Sequence, residues 1–140
     1  MHAITQAIPN VRILGPLRKF TQIELSITDA INLGIDPPLR ISGDIKGSAP
    51  ITIVGPKGSI RVKEGAIIAL RHIHMTPADA QRYGVKHGEI VKVEIPGPRK
   101  TIFDEVVIRV NEKYKLALHL DTDEGNAAGV KPGMFCRIIK

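Results

Sequence analysis

Two histidines separated by one residue, His72 and His74, are the clearest candidates for chemistry in this chain. On a β-strand, residues two apart project from the same face, so both imidazoles could bind one metal ion while Ile73 faces the core. His119 lies between two leucines and is the candidate third ligand. Three histidines with an open position are typical of catalytic zinc, and magnesium or calcium would match poorly. The alternative is a pair of half-exposed strand histidines without a metal.

Acidic residues follow His119 closely, at Asp121, Asp123 and Glu124. A carboxylate beside a ligating histidine can orient its ring through the second nitrogen. The same residues could instead begin a helix, because the helix dipole favours negative charge at the N-terminus. Their spacing is not that of a calcium loop. The sequence leaves the first two interpretations open.

Two arginines are candidates for binding an anion. Arg109 lies inside the apolar run 106–110, and Arg18 follows a Gly-Pro turn. A guanidinium group matches phosphate with two parallel hydrogen bonds. The alternative for both is a solvated cation, which for Arg109 means an apolar stem reaching out to water.

The composition excludes some classes of protein. The chain has 140 residues, 43% of them hydrophobic, and a net charge of +6. It is therefore expected to fold, and no apolar run reaches membrane-spanning length. The first ten residues do not resemble a signal peptide. The single cysteine, Cys136, fits a reducing cytosol and is expected in the core. His2 and His87 are expected at the surface.

The positive charge permits two kinds of partner. Basic chains often bind nucleic acid, but here the basic residues are scattered and aromatic residues make up 4%, too few for a base-stacking platform. A small polyanionic ligand explains the charge equally well. A nucleic-acid-binding barrel is thus the weaker alternative, which salt-dependent DNA binding would reveal.

Strand patterns dominate the sequence and predict a mainly β protein. Many short strands with Gly/Pro turns indicate small barrels. The predicted strands cover 21–27, 51–54, 59–62, 66–70, 90–95, 106–110 and 115–120. The predicted turns lie at 55–58, 63–65 and 96–98. A boundary near 69–70 divides the chain into two β-barrels in series, 1–69 and 70–140, each with short capping helices.

Three short helices are predicted. Thr76 and Pro77 begin one as N-cap and first helical residue, and Gly84 ends it. The other two cover 28–34 and 122–129. These two share a Thr-Asp-x-x-Asn signature, with a potential metal ligand just upstream of each. The match indicates an internal duplication or a chance agreement.

These segments together resemble one known family. Two of the runs that carry the resemblance are Arg-His-Ile-His-Met at 71–75 and His-Leu-Asp-Thr-Asp-Glu-Gly-Asn-Ala at 119–127. Further matching runs lie at 11–18, 22–24, 26–30, 33–35, 42–44 and 55–58. The chain resembles the phosphate propanoyltransferases of bacterial propanediol-utilisation microcompartments from about residue 9 to its last residue. That family exchanges coenzyme A for phosphate on a short acyl group.

The resemblance implies a fold and a set of site residues. It implies two β-barrels with two zinc ions, and direct acyl transfer without a protein nucleophile. No nucleophile elbow, P-loop or dinucleotide fingerprint is found in the sequence. The implied residues are His72, His74 and His119 for one zinc, Glu24 for the other, Arg18 for phosphate, Arg12 and Asn126 for coenzyme A, and Gln22, Ser42 and Arg109 as catalytic residues.

Residues 1–7 differ from the start of the family. The family's N-terminal segment with its own His-x-His pair is not matched, so the first barrel is expected to be incomplete there. An alternative function follows: a metal- and coenzyme A-binding barrel fragment with little or no turnover. Strand edges left exposed in the incomplete barrel invite pairing with another chain, so a cytoplasmic homo-oligomer is expected. The family's microcompartment targeting usually resides in the N-terminal segment, so the sequence leaves association with a microcompartment open. The resemblance favours propanoyl over acetyl, and Cys136 is not expected to act as a nucleophile.

Overall fold

A computed structural model describes residues 6–140, so His2 and the predictions for residues 1–5 lie outside the described part. Within it the protein is mainly β, as predicted, with nine strands and three short helices. The elements in chain order are β1 (Ile23–Glu24), α1 (Ile27–Leu33), β2 (Leu39–Arg40), β3 (Ala49–Gly55), β4 (Gly58–Ala69), β5 (His72–Met75), α2 (Pro77–Tyr83), β6 (Ile90–Ile95), β7 (Thr101–Val110), β8 (Ala117–His119), α3 (Thr122–Ala128) and β9 (Arg137–Ile139). None of these helices is long and apolar enough to cross a membrane.

The chain separates into two compact units, Met1–Ala69 and Leu70–Lys140. In the first unit β4 is the central strand, antiparallel to β3 and parallel to both β1 and β2. Its buried core is made of Leu25, Ala30, Ala49, Ala66 and Ile68. The predicted closure of this sheet into a barrel stays a prediction.

The turn predicted at 63–65 is wrong, because a single strand of 12 residues, β4, runs through it. Gly65 serves close packing there and not a change of direction. A Cβ atom at this position would lie 2.7 Å from Cγ2 of Val62 and 3.4 Å from the carbonyl oxygen of Thr21. Glycine therefore marks a place where β4 is approached closely.

The strand predicted over 21–27 is also too long. β1 ends at Glu24 and α1 begins at Ile27, one residue before the predicted helix start. Ser26 is the N-cap, and its Oγ accepts a hydrogen bond of 3.1 Å from the backbone N–H of Asp29. The capping interaction thus ends the strand inside an alternating pattern that by itself favours a longer one.

The second unit is a sheet with the order β8-β5-β7-β6-β9. Its core packs Ile73, Met75, Val91, Val93, Ile95, Val106 and Ile108 with Ala80 of α2 and Ala128 of α3. Strands β6 and β7 contain the predicted segments 90–95 and 106–110. Cys136 is exposed and not in the core, because β9 begins only at Arg137 and is an edge strand paired to β6. Whether this sheet closes into a barrel stays a prediction.

One strand-to-helix design occurs three times in the described chain. Each helix has a side-chain N-cap and an acidic residue three positions later, and ends at a glycine in the left-handed conformation. The N-caps are Ser26, Thr76 and Asp121, and the terminal glycines are Gly34, Gly84 and Gly129. Thr28 is the second residue after its N-cap, whereas Thr122 is the first residue after its own. The shared Thr-Asp-x-x-Asn signature therefore does not place equivalent residues at equivalent helix positions. The internal duplication itself stays a prediction, and what the three helices share is their capping pattern.

The shared design of the three helices predicts how an alanine at position 125 would change the stability of the protein. Gly125 takes the position that Ala30 and Ala80 fill in the other helices, and a Cβ there would meet only the Cβ of Val130, at 4.0 Å. Gly125→Ala should raise the free energy of unfolding by roughly 0.5–1 kcal/mol, because alanine has the higher helix propensity. Gly65→Ala should lower it by roughly 1–3 kcal/mol through overpacking. Urea unfolding of both variants measures this, and a destabilised Gly125→Ala would contradict it.

Candidate metal centre and polar groups

The two histidines of β5 lie on the sheet face opposite the core, as the alternation predicts. Ile73 and Met75 are buried in the core cluster. His72 and His74 therefore project from the other face of the same strand. β5 lies between β7, to which it is parallel, and β8, to which it is antiparallel. Neighbours on both sides fix the position of this strand.

His119 joins the pair from β8, where it lies directly opposite His72 in the register. The rings of His72 and His119 are stacked, with centroids 4.8 Å apart and planes at 4°. The His74 centroid is 4.3 Å from that of His119. One nitrogen from each ring lies within 4.8 Å of the others. The three histidines could therefore hold a metal ion.

A backbone hydrogen bond sets the tautomer of His72. Its Nδ1 lies 2.8 Å from the carbonyl oxygen of Leu70. Because a carbonyl oxygen only accepts, Nδ1 carries the proton and donates. In the neutral ring Nε2 is then the nitrogen with a free lone pair, as a metal ligand requires. The His72 side chain is also buried, so its ring has little freedom to turn.

Tyr114 belongs to this cluster and was not foreseen from the sequence. Its ring stacks on His74, with centroids 3.9 Å apart and planes at 17°. It lies between β7 and β8, where no periodic pattern marks it. The sequence feature that could have pointed to it is that Tyr114 is the one aromatic residue in the connection 111–116.

Arg109 lies on β7 beside His74, its register partner in the parallel pair. Partners in a parallel register share a sheet face, so this half-buried arginine is on the face of the histidines while its neighbour Ile108 is fully buried. Within the apolar run that surrounds Arg109 in the sequence, Val106 and Ile108 belong to the core cluster. The anion-binding role of Arg109 stays a prediction.

The carboxylates after His119 mainly build a helix N-terminus. Asp121 is the N-cap, and its Oδ1 accepts from the backbone N–H of Glu124 at 2.9 Å. Glu124 Oε1 accepts in return from the N–H of Asp121 at 3.0 Å. This capping box is the alternative that the sequence left open. Glu124 Oε2 also pairs with Arg71 at 2.8 Å.

A second polar group lies within the first unit, around Gln22. Its Nε2 donates to Oγ of Ser42 and to Oε1 of Glu24, both at 3.0 Å. Its Oε1 accepts from the N–H of Gly43 at 2.7 Å. The guanidinium of Arg18 is also near Gly43, 3.4 Å from where a Cβ atom would stand. Four residues implied by the resemblance therefore lie close together here.

The remaining candidates are exposed. Arg12 lies before β1, outside any helix or strand. Asn126 is in α3, and its backbone carbonyl accepts from the N–H of Gly129 at 3.2 Å. Their coenzyme A roles stay predictions. His87 is at the surface as predicted, and its Nδ1 accepts from the N–H of Val110 at 3.0 Å.

Comparison with known proteins identifies the family. The family model described as phosphate propanoyltransferase matches residues 1–131. The chain belongs to the phosphate propanoyltransferase family. A relative so named from Lachnoclostridium phytofermentans is 56% identical over 96% of this chain and 63% of its own length. One from Thermotoga maritima is 53% identical over 96% of this chain and 64% of its own length. The chain thus spans a little under two thirds of these relatives.

The stacking of Tyr114 on His74, a residue of the three-histidine cluster, has a testable consequence for metal binding. Tyr114→Ala should weaken cobalt(II) binding about tenfold, as loss of a supporting contact to a metal ligand does elsewhere. Tyr114→Phe should bind like the unaltered chain, because stacking needs only the ring. Titration followed by the cobalt absorption bands measures this.

Tyr83→Ala is the matched control, since Tyr83 contacts Arg82 at the end of α2. Equal cobalt affinity in Tyr114→Ala and Tyr83→Ala would remove the supporting role of Tyr114.

Proposed function

We propose that this chain carries a zinc-dependent phosphate acyltransferase centre, which converts an acyl-coenzyme A and phosphate reversibly into an acyl phosphate and coenzyme A. The observation that carries the proposal is the cluster of His72, His74 and His119 beside Arg109, on a chain of this family. The relatives named phosphate propanoyltransferase favour propanoyl as the acyl group.

Zinc is the proposed metal because the donor set consists of three neutral imidazoles. Hard cations such as magnesium and calcium prefer oxygen ligands. Three histidines leave one coordination position for a substrate atom, as in catalytic zinc sites. The proton on His72 Nδ1 leaves Nε2 available, which fits a ligating histidine. When bound, zinc supplies a Lewis acid that polarises a carbonyl or phosphoryl oxygen.

The proposed reaction needs no protein nucleophile. A phosphate oxygen attacks the thioester carbonyl carbon, the carbon–sulfur bond breaks, and the sulfur leaves as a thiolate. The proton released by phosphate on forming the acyl phosphate passes to that thiolate, so atoms and charges balance. Arg109 would offset the negative charge that develops on oxygen during the attack.

The polar group of the first unit has its own proposed roles. Arg18 would bind phosphate, and Gln22 and Ser42 would act as catalytic residues. Their support is the hydrogen bonding through which Gln22 holds Ser42 and Glu24 in fixed orientations. Glu24 would contribute one oxygen ligand to a second zinc. Arg12 and Asn126 would contact coenzyme A, which rests on the family resemblance alone.

Assembly and location are proposed on the same basis. The family resemblance supports a homo-oligomer associated with a bacterial microcompartment in the cytoplasm. Light scattering of the purified chain tests the first statement, and co-purification with shell proteins tests the second.

Removal of the exposed ligand tests the metal and the reaction together. His119→Ala should lose bound zinc and acyl phosphate formation, because two histidines leave the metal site incomplete. His87→Ala should keep both, since His87 lies outside the cluster. Zinc content by mass spectrometry and acyl phosphate trapped with hydroxylamine are the measurements, with and without added zinc. Unchanged zinc content in His119→Ala would refute the assignment.

The two arginines should affect kinetics more than stability. Arg109→Ala and Arg18→Ala should each lower turnover, or raise the apparent KM for phosphate, by about 100-fold, as loss of a charge-stabilising group does elsewhere. Melting temperatures should change little. Arg61→Ala is the control, because Arg61 bonds only Thr52 across the exposed β3–β4 hairpin among the contacts described. Large losses of stability with normal kinetics would contradict these roles.

A further inference from the structure

The strand that carries His119 is held by few contacts of its own. β8 is 3 residues long, forms one edge of the sheet and pairs with β5. His119 is its last residue, and α3 begins almost immediately after it. A short edge strand frays readily unless something else fixes its end. The position of His119 therefore depends on how the start of α3 is attached.

Arg71 makes that attachment, and it directly precedes His72. Its Nη1 donates to Oε2 of Glu124 at 2.8 Å. Its Nη2 and Nε donate to the carbonyl oxygen of Asp104 at 2.8 and 3.2 Å. The guanidinium also lies over the ring of Phe103, 5.2 Å from its centroid. Three elements, β5, β7 and α3, thus meet at one side chain.

The two carboxylate oxygens of Glu124 accept hydrogen bonds from different partners. Oε2 accepts from Arg71, and Oε1 accepts from the backbone N–H of Asp121. The relative exposures of the two paired side chains are 28% for Arg71 and 17% for Glu124, so this ion pair is shielded more than a fully solvated one. A continuous path leads from His72 through Arg71 and Glu124 to Asp121, two residues after His119.

We propose that the Arg71–Glu124 ion pair positions His119 opposite His72 and so sets the spacing of the metal ligands. Both are positioning residues, because neither is one of the three clustered ligands. The inference rests on the proposed metal centre for its functional meaning. The statement that the ion pair fixes the position of β8 applies to the metal-free protein, so it is tested without metal.

Two variants separate the ion pair from the helix cap. Glu124→Gln removes the charge but keeps an oxygen that can accept from the N–H of Asp121, since glutamine also completes capping boxes. Arg71→Gln removes the other partner. Arg82→Gln is the matched control, because Arg82 pairs at 3.1 Å with Asp79, the equivalent acidic residue of the α2 capping box. That pair lies within one helix and joins no separate strands.

Amide hydrogen exchange of the metal-free chain is the first measurement. Glu124→Gln and Arg71→Gln should speed exchange at the β8 amides at least tenfold and leave the β6 amides unchanged, and Glu124→Gln should also leave the β7 amides unchanged. Arg82→Gln should leave β8 unchanged. Equal protection of β8 in all variants would overturn the proposal. Uniformly faster exchange of the whole sheet would also overturn it, because the pair would then be a general stabiliser.

Cobalt(II) titration is the second measurement. Glu124→Gln and Arg71→Gln should weaken cobalt binding about tenfold or more, in the range found for groups that orient metal ligands. Arg82→Gln should bind like the unaltered chain. Undiminished affinity in both variants would overturn the positioning role. Failure of the unaltered chain to bind cobalt would instead refute the metal centre, and the exchange result would still decide the tie to β8.

Discussion

The burial of Ile73 and Met75 is the constraint from which the candidate metal centre follows. Both side chains fill the core of the second unit, and strand alternation then leaves His72 and His74 only the opposite face. Pairing to β8 and β7 brings further chemistry to this face, since His119 comes from one neighbour and Arg109 from the other. The hydrophobic core therefore decides which polar groups meet, although it contains none of them.

Much of the centre could be predicted because it depends on period-two patterns. The histidine pair, the inward Ile73 and the strand that holds Arg109 are local consequences of alternation. Tyr114 could not be predicted in the same way. Its contact with His74 depends on the path of an irregular connection, and no sequence period describes such a path. The sequence also could not show which oxygen of Glu124 pairs with Arg71.

The errors in the fold have a common physical origin. At residues 21–27 an alternating pattern competes with a serine N-cap, and the hydrogen bond from Asp29 to Ser26 decides in favour of the helix. At Gly65 a residue typical of turns is required instead for close packing inside a strand. Cys136 is a residue type that is usually buried, but here it precedes a short edge strand. In the first two cases a capping or packing contact outweighed local composition, and in the third the edge position of the strand did.

The repeated strand-to-helix design explains where the candidate ligands fall. In each copy an apolar residue comes just before the N-cap; Leu25 and Met75 are buried in core clusters, and Leu120 is half-buried. An apolar residue at this position packs towards the first turn of its helix. The residue before it then lies on the opposite side of the strand, and these residues are Glu24, His74 and His119. One geometric rule thus presents a potential ligand at the same place three times. Substituting that position changes the chemistry while the apolar residue and the cap preserve the fold, so the design can carry either a carboxylate or an imidazole.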